Sequence, residues 1–197
     1  MNPSVIPIWK QTWDILKSRH PLLRVTVFTV PLWKGRSQND IFQNKEFKKW
    51  YKERKSWVEI QQQGYKNINP PECKRFRKPQ HAILKRGFRK ILTYLPDDCY
   101  VFKPPFDQMD NNTLGILSSL GFSACIRYKG LILLRPTFNQ LPPYKIISSR
   151  INIDEKTPDD IQKLWKMLDV EFSTFESKGY EFSTLSELLK NNMLEDE

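Results

Sequence analysis

The chain has 197 residues and a mass of 23.5 kDa, with 39% apolar and 13% aromatic residues, enough for one domain over residues 1–197 and too little for two. That composition excludes a disordered chain, and no apolar run nears the roughly 18 residues of a membrane span. With 32 basic against 22 acidic side chains, a net +10, an anionic partner is favoured but not required. The start, Met1 to Trp13, lacks the basic stretch and apolar core of a secretion signal, so the expected location is cytoplasmic, with no membrane partner.

Trp9, Trp13 and Leu16 recur at helical spacing and predict a first helix that stops at His20-Pro21, because proline disfavours helix for its predecessor. Val25 to Val30 is short, apolar and β-branched, closed by Pro31, the pattern of a parallel strand buried on both faces. Phe47, Trp50, Tyr51 and Arg54 predict a basic helix, and Trp57 to Ile60 a brief strand. After Pro70-Pro71, Leu84, Phe88, Ile91 and Leu92 share a helical face. Tyr100 to Phe102 reads as a strand and Lys103-Pro104-Pro105 as a rigid exit loop. Asn111 or Asn112 is then placed to cap a helix burying Leu114, Leu117 and Leu120, with Gly121 as its stop.

Strands are expected at Phe122 to Ile126, Leu131 to Leu134 and Tyr144 to Ile147. Thr157-Pro158-Asp159-Asp160 opens a helix with a hydroxyl cap, a proline in the first turn and acids at the positive end of the dipole. That helix carries Ile161, Leu164, Trp165, Leu168 and Phe172 and ends near Gly179. Thr184 and Glu187 have the spacing of a capping box on a last short helix. This alternation predicts an α/β fold with a mainly parallel sheet and active-site loops at the carboxyl ends of its strands.

The usual chemical signatures are missing. There is no G-x-G-x-x-G or G-x-x-x-x-G-K-[ST] phosphate loop and no G-x-S-x-G elbow. Cys73, Cys99 and Cys125 are odd in number and lack a C-x-x-C pair, so they read as reduced, part-buried residues. His20 and His81, the only histidines, lie in or beside helices and read as surface or cap residues.

Four stretches together resemble the polysaccharide deacetylase-like family. Val25 to Pro31 looks like its second strand, and Trp57 to Asn67 with Glu72-Cys73 resembles its E-I-x-x-H-G-y-x-H strand and loop. Phe102-Lys103-Pro104-Pro105-Phe106, Asn112-Thr113-Leu114 and Leu120-Gly121-Phe122 are similar to its F-R-P-P-y segment and following helix. Phe175 to Leu189 looks like its closing strand and helix. The resemblance implies a (β/α) barrel-like domain that removes acetyl groups from sugar amides with one zinc or other divalent ion.

The residues which would do that work depart from the family's pattern. The two histidine ligand positions match Gln63 and Asn67, whose neutral amides are poor ligands for a transition metal. Nothing corresponds to the Asp-Asp of the first strand, since the chain starts near the equivalent of the first helix, and Asp14 lies within that helix. The late histidine would fall in Lys145 to Arg150, which has none, and Lys103 stands at best for the family's arginine. The expectation is a shortened barrel-like domain, without the family's first strand, that binds or scaffolds without metal-dependent hydrolysis. No cofactor is expected, and a second copy or Met1 to Ile8 would cover the open sheet edge. The candidate pocket is Gln63, Tyr65, Asn67, Lys103, Pro104 and Ser148, with Trp33 and Trp57 as further carbohydrate contacts. Against this, Gln63 to Asn67 also reads as a plain polar turn, with Gly64 needed for its backbone and Asn67 making an Asx bond.

Two other readings stand beside it. Residues 34–90 hold 17 basic and five acidic residues, and the cations alternate with aromatics, which suits nucleic acid or an acidic protein. The candidate contacts are Lys48, Lys49, Lys52, Arg75, Arg77 and Arg86. The same alternation also describes ordinary helices with an aromatic core face and a solvated lysine face. The third reading is a hydrolase built on Glu59, Asp107 or Asp110.

Overall fold

A computed structural model describes residues 6–37, 40–68, 71–74, 77–94, 99–127, 130–134 and 158–192. Its elements run α1 (Ile6–Arg19), β1 (Val25–Thr29), α2 (Lys45–Arg54), β2 (Val58–Gln63), α3 (Arg77–Ile91), β3 (Val101–Lys103), α4 (Asn111–Ser119), β4 (Ala124–Arg127), β5 (Gly130–Leu133), α5 (Pro158–Glu176) and α6 (Leu185–Lys190). The strands form one sheet in the order β1-β2-β3-β4-β5. The first four are parallel and β5 returns antiparallel on β4. The fold is therefore α/β with a mainly parallel sheet. The second strand expected after β4, Tyr144 to Ile147, lies outside the described residues.

The period-two alternation of the strands divides the core. Val25, Val27, Val58 and Ile60 face Leu16 of α1, Phe47 and Trp50 of α2, and Leu168 and Phe172 of α5. The same side continues through Phe102 and Cys125 to Leu84 of α3 and Ile116 and Leu117 of α4. On the opposite side Val101, Ala124 and Ile126 pack with Leu185 and Leu189 of α6. Consecutive parallel strands joined by right-handed crossovers put α2, α3 and α4 on one side of the sheet.

Several local expectations are corrected by long-range contacts. Val25 to Thr29 is an edge strand of half-buried residues rather than one buried on both faces, because only β2 pairs with it among the described residues. Ile6 and Ile8, within the stretch expected to cover that edge, belong to α1, and Met1 to Val5 lie outside the described residues. The strand at Trp57 to Ile60 extends instead through Gln61, Gln62 and Gln63. The Gln61 side chain is fully buried there and completes the β2–β3 junction: its amide donates to Cys99 O at 3.1 Å and its Oε1 accepts from Val101 N at 2.8 Å. Leu92 is 43% exposed, because the chain tightens into a 3₁₀ turn after Ile91. The cap of α4 is Asp110, not Asn111 or Asn112; its carboxylate accepts from Asn112 N and Thr113 N. Thr113 and Ile116 join Leu117 in the buried face, while Leu114 and Leu120 are only half-buried.

His20 is not a surface residue. It is 2% exposed, with Nδ1 at 2.8 Å from Glu176 Oε2 and Nε2 at 3.1 Å from Asp169 Oδ1, and the Phe172 ring meets it edge-on. One imidazole thus joins the end of α1 to two positions about two turns apart on α5, and Arg19 adds a 2.6 Å contact to Asp169. Replacing His20 with leucine leaves both carboxylates facing an apolar side chain. We expect a loss of about 1–3 kcal/mol, the range for buried groups left without a partner, read as a lower urea midpoint at unchanged slope.

Candidate functional site

At the carboxyl ends of β1, β2 and β3, three loops carry all the left-handed non-glycine residues among the described ones. These are Lys34 (φ 52°), Asn67 (53°), Phe106 (55°) and Asp107 (54°). Each such conformation costs roughly 1–2 kcal/mol for an L-residue and concentrates where function holds it in place. Here the loops constrain one another. Leu32 N donates to Tyr65 O at 2.9 Å, Lys34 N to Lys66 O at 2.8 Å, and Gly64 N to Lys103 O at 3.3 Å.

Glu72 organises the second loop, although neither its burial nor its role was visible in the sequence. It is fully buried, and its Oε1 accepts the backbone N–H groups of Lys66 and Asn67, the latter at 2.8 Å. Asn67 therefore turns through its main chain. Its side-chain Oδ1 is buried without a hydrogen-bond partner, so the expected Asx bond is replaced by the Glu72 contact. Gly64 has φ 50°, in keeping with its expected backbone role.

The candidate residues divide accordingly. Gln63 and Lys103 are register partners at the ends of β2 and β3, and buried Pro104 caps the turn Pro105–Asp107 beside them. Lys103 pairs with Asp107 at 3.2 Å and lies over the Phe28 ring at 5.8 Å. Tyr65 is buried, so its ring is not an open platform. Ser148, Arg75 and the side chains of Trp33 and Arg77 lie outside the described residues. Trp57 is corrected: it immediately precedes β2 at the sheet's opposite end, beneath Lys17, in a shallow depression that Arg54 and Asp14 occupy with a two-bond ion pair.

The exposed aromatic at the carboxyl edge is Phe106. It is 46% exposed, and its left-handed backbone continues into Asp107. The sequence signal was the proline pair before it: with Pro104 and Pro105 fixed in φ, the turn has few other conformations in which to complete itself. Arg127 Nη2 reaches Asp107 O at 3.5 Å from the end of β4. The edge thus offers a ring face and the Gln63 amide beside the Lys103–Asp107 pair, whose side chains are 14% and 15% exposed.

No nucleophile or metal centre accompanies them among the described residues. Burial raises the Cys73 thiol strongly and pushes Cys125 up to about 12, which leaves both as inert core thiols. Glu59 and Asp110 are absorbed elsewhere. Glu59 is buried beneath α6, and Asp110 caps α4, where hydrogen bonds from Gln80 and Thr113 outweigh burial and hold its carboxyl below the usual range. Among the described residues no group of three or more His, Cys, Asp or Glu side chains could hold a metal, and no helix is long and apolar enough to cross a membrane. Comparison with family models, curated proteins and solved structures finds no match.

The basic helices separate aromatics from cations. Phe47 and Trp50 are core, while Lys48, Lys49, Lys52 and Arg86 are exposed. Tyr51 is half-buried and spends its hydroxyl on Tyr94 O, and the half-buried Phe88 ring packs against Tyr100 and Phe122. The alternation is thus an aromatic core face backed by a solvated cationic one.

Proposed function

We propose that this chain is a shortened, deacetylase-like barrel domain that binds a carbohydrate at the carboxyl edge of its sheet and does not hydrolyse it. The observation that carries the reading is Phe106, held in solvent by two consecutive left-handed residues beside the Lys103–Asp107 pair. Sugar rings present apolar C–H faces rimmed by hydroxyls, so an open aromatic face flanked by a donor and an acceptor matches both parts. The parallel order β1 to β4, with no strand beyond β1 among the described residues, supports a family-like arrangement without its first strand. The donors do not fit zinc: Gln63 and Asn67 offer neutral amides, Asp107 is paired with Lys103, and buried Glu72 is engaged by the Lys66 and Asn67 amides. No step of hydrolysis is therefore assigned to a metal.

Titration calorimetry with acetylated chito-oligosaccharides and a panel of neutral and acidic oligosaccharides tests the reading. Phe106→Ala is expected to weaken binding about tenfold or more, the scale of losing one well-used aromatic contact. No acetate should be released with or without added Zn²⁺. Absence of binding across the panel, or binding indifferent to Phe106, would overturn the assignment to this edge. Zinc-dependent acetate release would overturn the loss of hydrolysis.

A further inference from the structure

The solvent face of α2 and α3 is independent of the carboxyl-edge site, and its charges are unbalanced. On α2, Glu46 reaches toward Lys10 of α1, and Glu53 meets Arg54, which also holds Asp14 of α1. The acids of α2 therefore lie along its border with α1. Lys48, Lys49 and Lys52 are exposed and none forms an ion pair among the described residues. On α3 there is no acidic residue, and Lys78, Lys85, Arg86 and Arg89 are likewise exposed and unpaired among the described residues. Only Lys90 has a partner, Asp40, on the side toward α2. The next helix, α4, contains no charged residue.

Tyr51 of α2 bonds Tyr94 just beyond α3, and Tyr94 stacks on Phe42 just before α2, so the two helices are tied through their flanking residues. Lys78, Lys85 and Arg89 recur at seven and four residues along α3, a row about 16 Å long at 1.5 Å per residue. Evenly spaced cations on the solvent side of two helices can meet the regularly repeating phosphates of a double helix. Among the described residues Phe47 and Trp50 lie in the core, and half-buried Tyr51 and Phe88 are engaged by Tyr94 and by Tyr100 and Phe122, so no open ring is offered on which unstacked bases could lie. That excludes the stacking mode of single-strand binding and leaves contact with the sugar-phosphate backbone.

We propose that the α2–α3 face binds double-helical nucleic acid through its phosphates, without reading sequence. The regular rows favour a repeating charge lattice over an acidic protein. Fluorescence anisotropy of the full chain with a mixed-sequence DNA duplex of about two helical turns tests it, with a single strand of equal length and heparin as the other arms. Affinity for the duplex should exceed that for both, and should fall at least a hundredfold between about 50 and about 200 mM salt, as expected for some four or five neutralised phosphates. The combined variant Lys85→Glu, Arg86→Glu and Arg89→Glu should lose binding about a hundredfold or more, while Lys163→Glu with Lys166→Glu on α5 should retain it. Single Lys→Gln changes at Lys78 or Lys85, which leave folding untouched, should each lower the salt slope by about one. No duplex binding at low salt, equal loss on changing α5, or heparin or single strand bound as tightly as duplex would overturn the proposal.

Discussion

Gly64→Ala is expected to destabilise the protein by about 2–5 kcal/mol and to remove the sugar binding that depends on Phe106. Gly64 has φ 50°, a conformation that costs an L-residue roughly 1–2 kcal/mol. Its missing Cβ would also stand 2.4 Å from Cγ and 3.1 Å from Cδ of Pro105, and 3.2 Å from the buried Glu72 Oε2. A proline ring cannot rotate away, so relief requires the turn Pro105–Asp107 to move as a unit, and overpacking of this kind adds about 1–3 kcal/mol. That turn carries Phe106. The loss of binding should therefore exceed what reduced stability alone produces, and a urea titration run beside calorimetry at a temperature where the variant remains folded separates the two. Gly115→Ala is the control: a Cβ there meets nothing within 4 Å on an exposed face of α4, and alanine should be neutral or stabilising by up to about 1 kcal/mol. A Gly64→Ala protein of ordinary stability and intact binding would show that the loop contacts do not hold Phe106 in place.

What could be read from the sequence follows from the distance between partners along the chain. The capping box at α6 involves residues three apart, and it forms as its spacing indicates: Thr184 N donates to Glu187 Oε2 at 2.9 Å and Glu187 N to Thr184 Oγ1 at 3.3 Å. Pro158 likewise opens α5, and Gly121 ends α4 with φ 87°. By contrast, the partners that bury Gln61, His20 and Glu59 lie 38, 156 and 127 residues away. A run of three glutamines gives no apolar signal, so β2 could not be followed past Ile60 by composition. Only the sheet shows that Gln61 and Gln62 are fully buried. The basic helices were legible as ordinary amphipathic ones: cation and aromatic alternate along the sequence, but at about 100° per residue they separate onto two faces, with Phe47 and Trp50 buried and Lys48, Lys49 and Lys52 exposed. At the carboxyl edge, the proline pair marked a rigid loop, whereas the left-handed backbone of Phe106 and Asp107 is seen only in the structure.

Glu59→Gln is expected to release α6 from the sheet and cost about 2–4 kcal/mol near neutral pH, although it removes a buried charge. Every contact of this carboxylate is with a donor. Oε1 accepts from Thr26 Oγ1 at 3.2 Å and Gln61 Nε2 at 3.0 Å, and Oε2 accepts from Ser186 N at 3.2 Å and from Ser186 Oγ. Thr26 Oγ1 in turn accepts from Leu185 N at 2.9 Å, so its own proton is committed to Glu59. An amide keeps one acceptor oxygen and sets an NH₂ against the N–H of Ser186. Each buried donor left unmatched costs about 1–3 kcal/mol. Because Leu185 and Leu189 complete the apolar cluster with Val101 and Ile126, loosening the first turn of α6 also uncovers that side of the sheet. Burial raises the Glu59 pKa, and the hydrogen bonds from Ser186 and Gln61 pull it down by less. The folded state therefore keeps the proton over a range in which the unfolded chain has released it. The associated stability is full below the ordinary carboxylate pKa and is lost as pH rises through the raised value, after which it is constant. Urea melts from acid to neutral pH should thus show wild type exceeding the Glu59→Gln variant most at low pH, narrowing to a positive plateau. If the variant is the more stable protein at neutral pH, the desolvation of Glu59 outweighs its four hydrogen bonds, and α6 is held by its other contacts, Leu185 and Leu189 in the core and the Arg24–Glu187 pair.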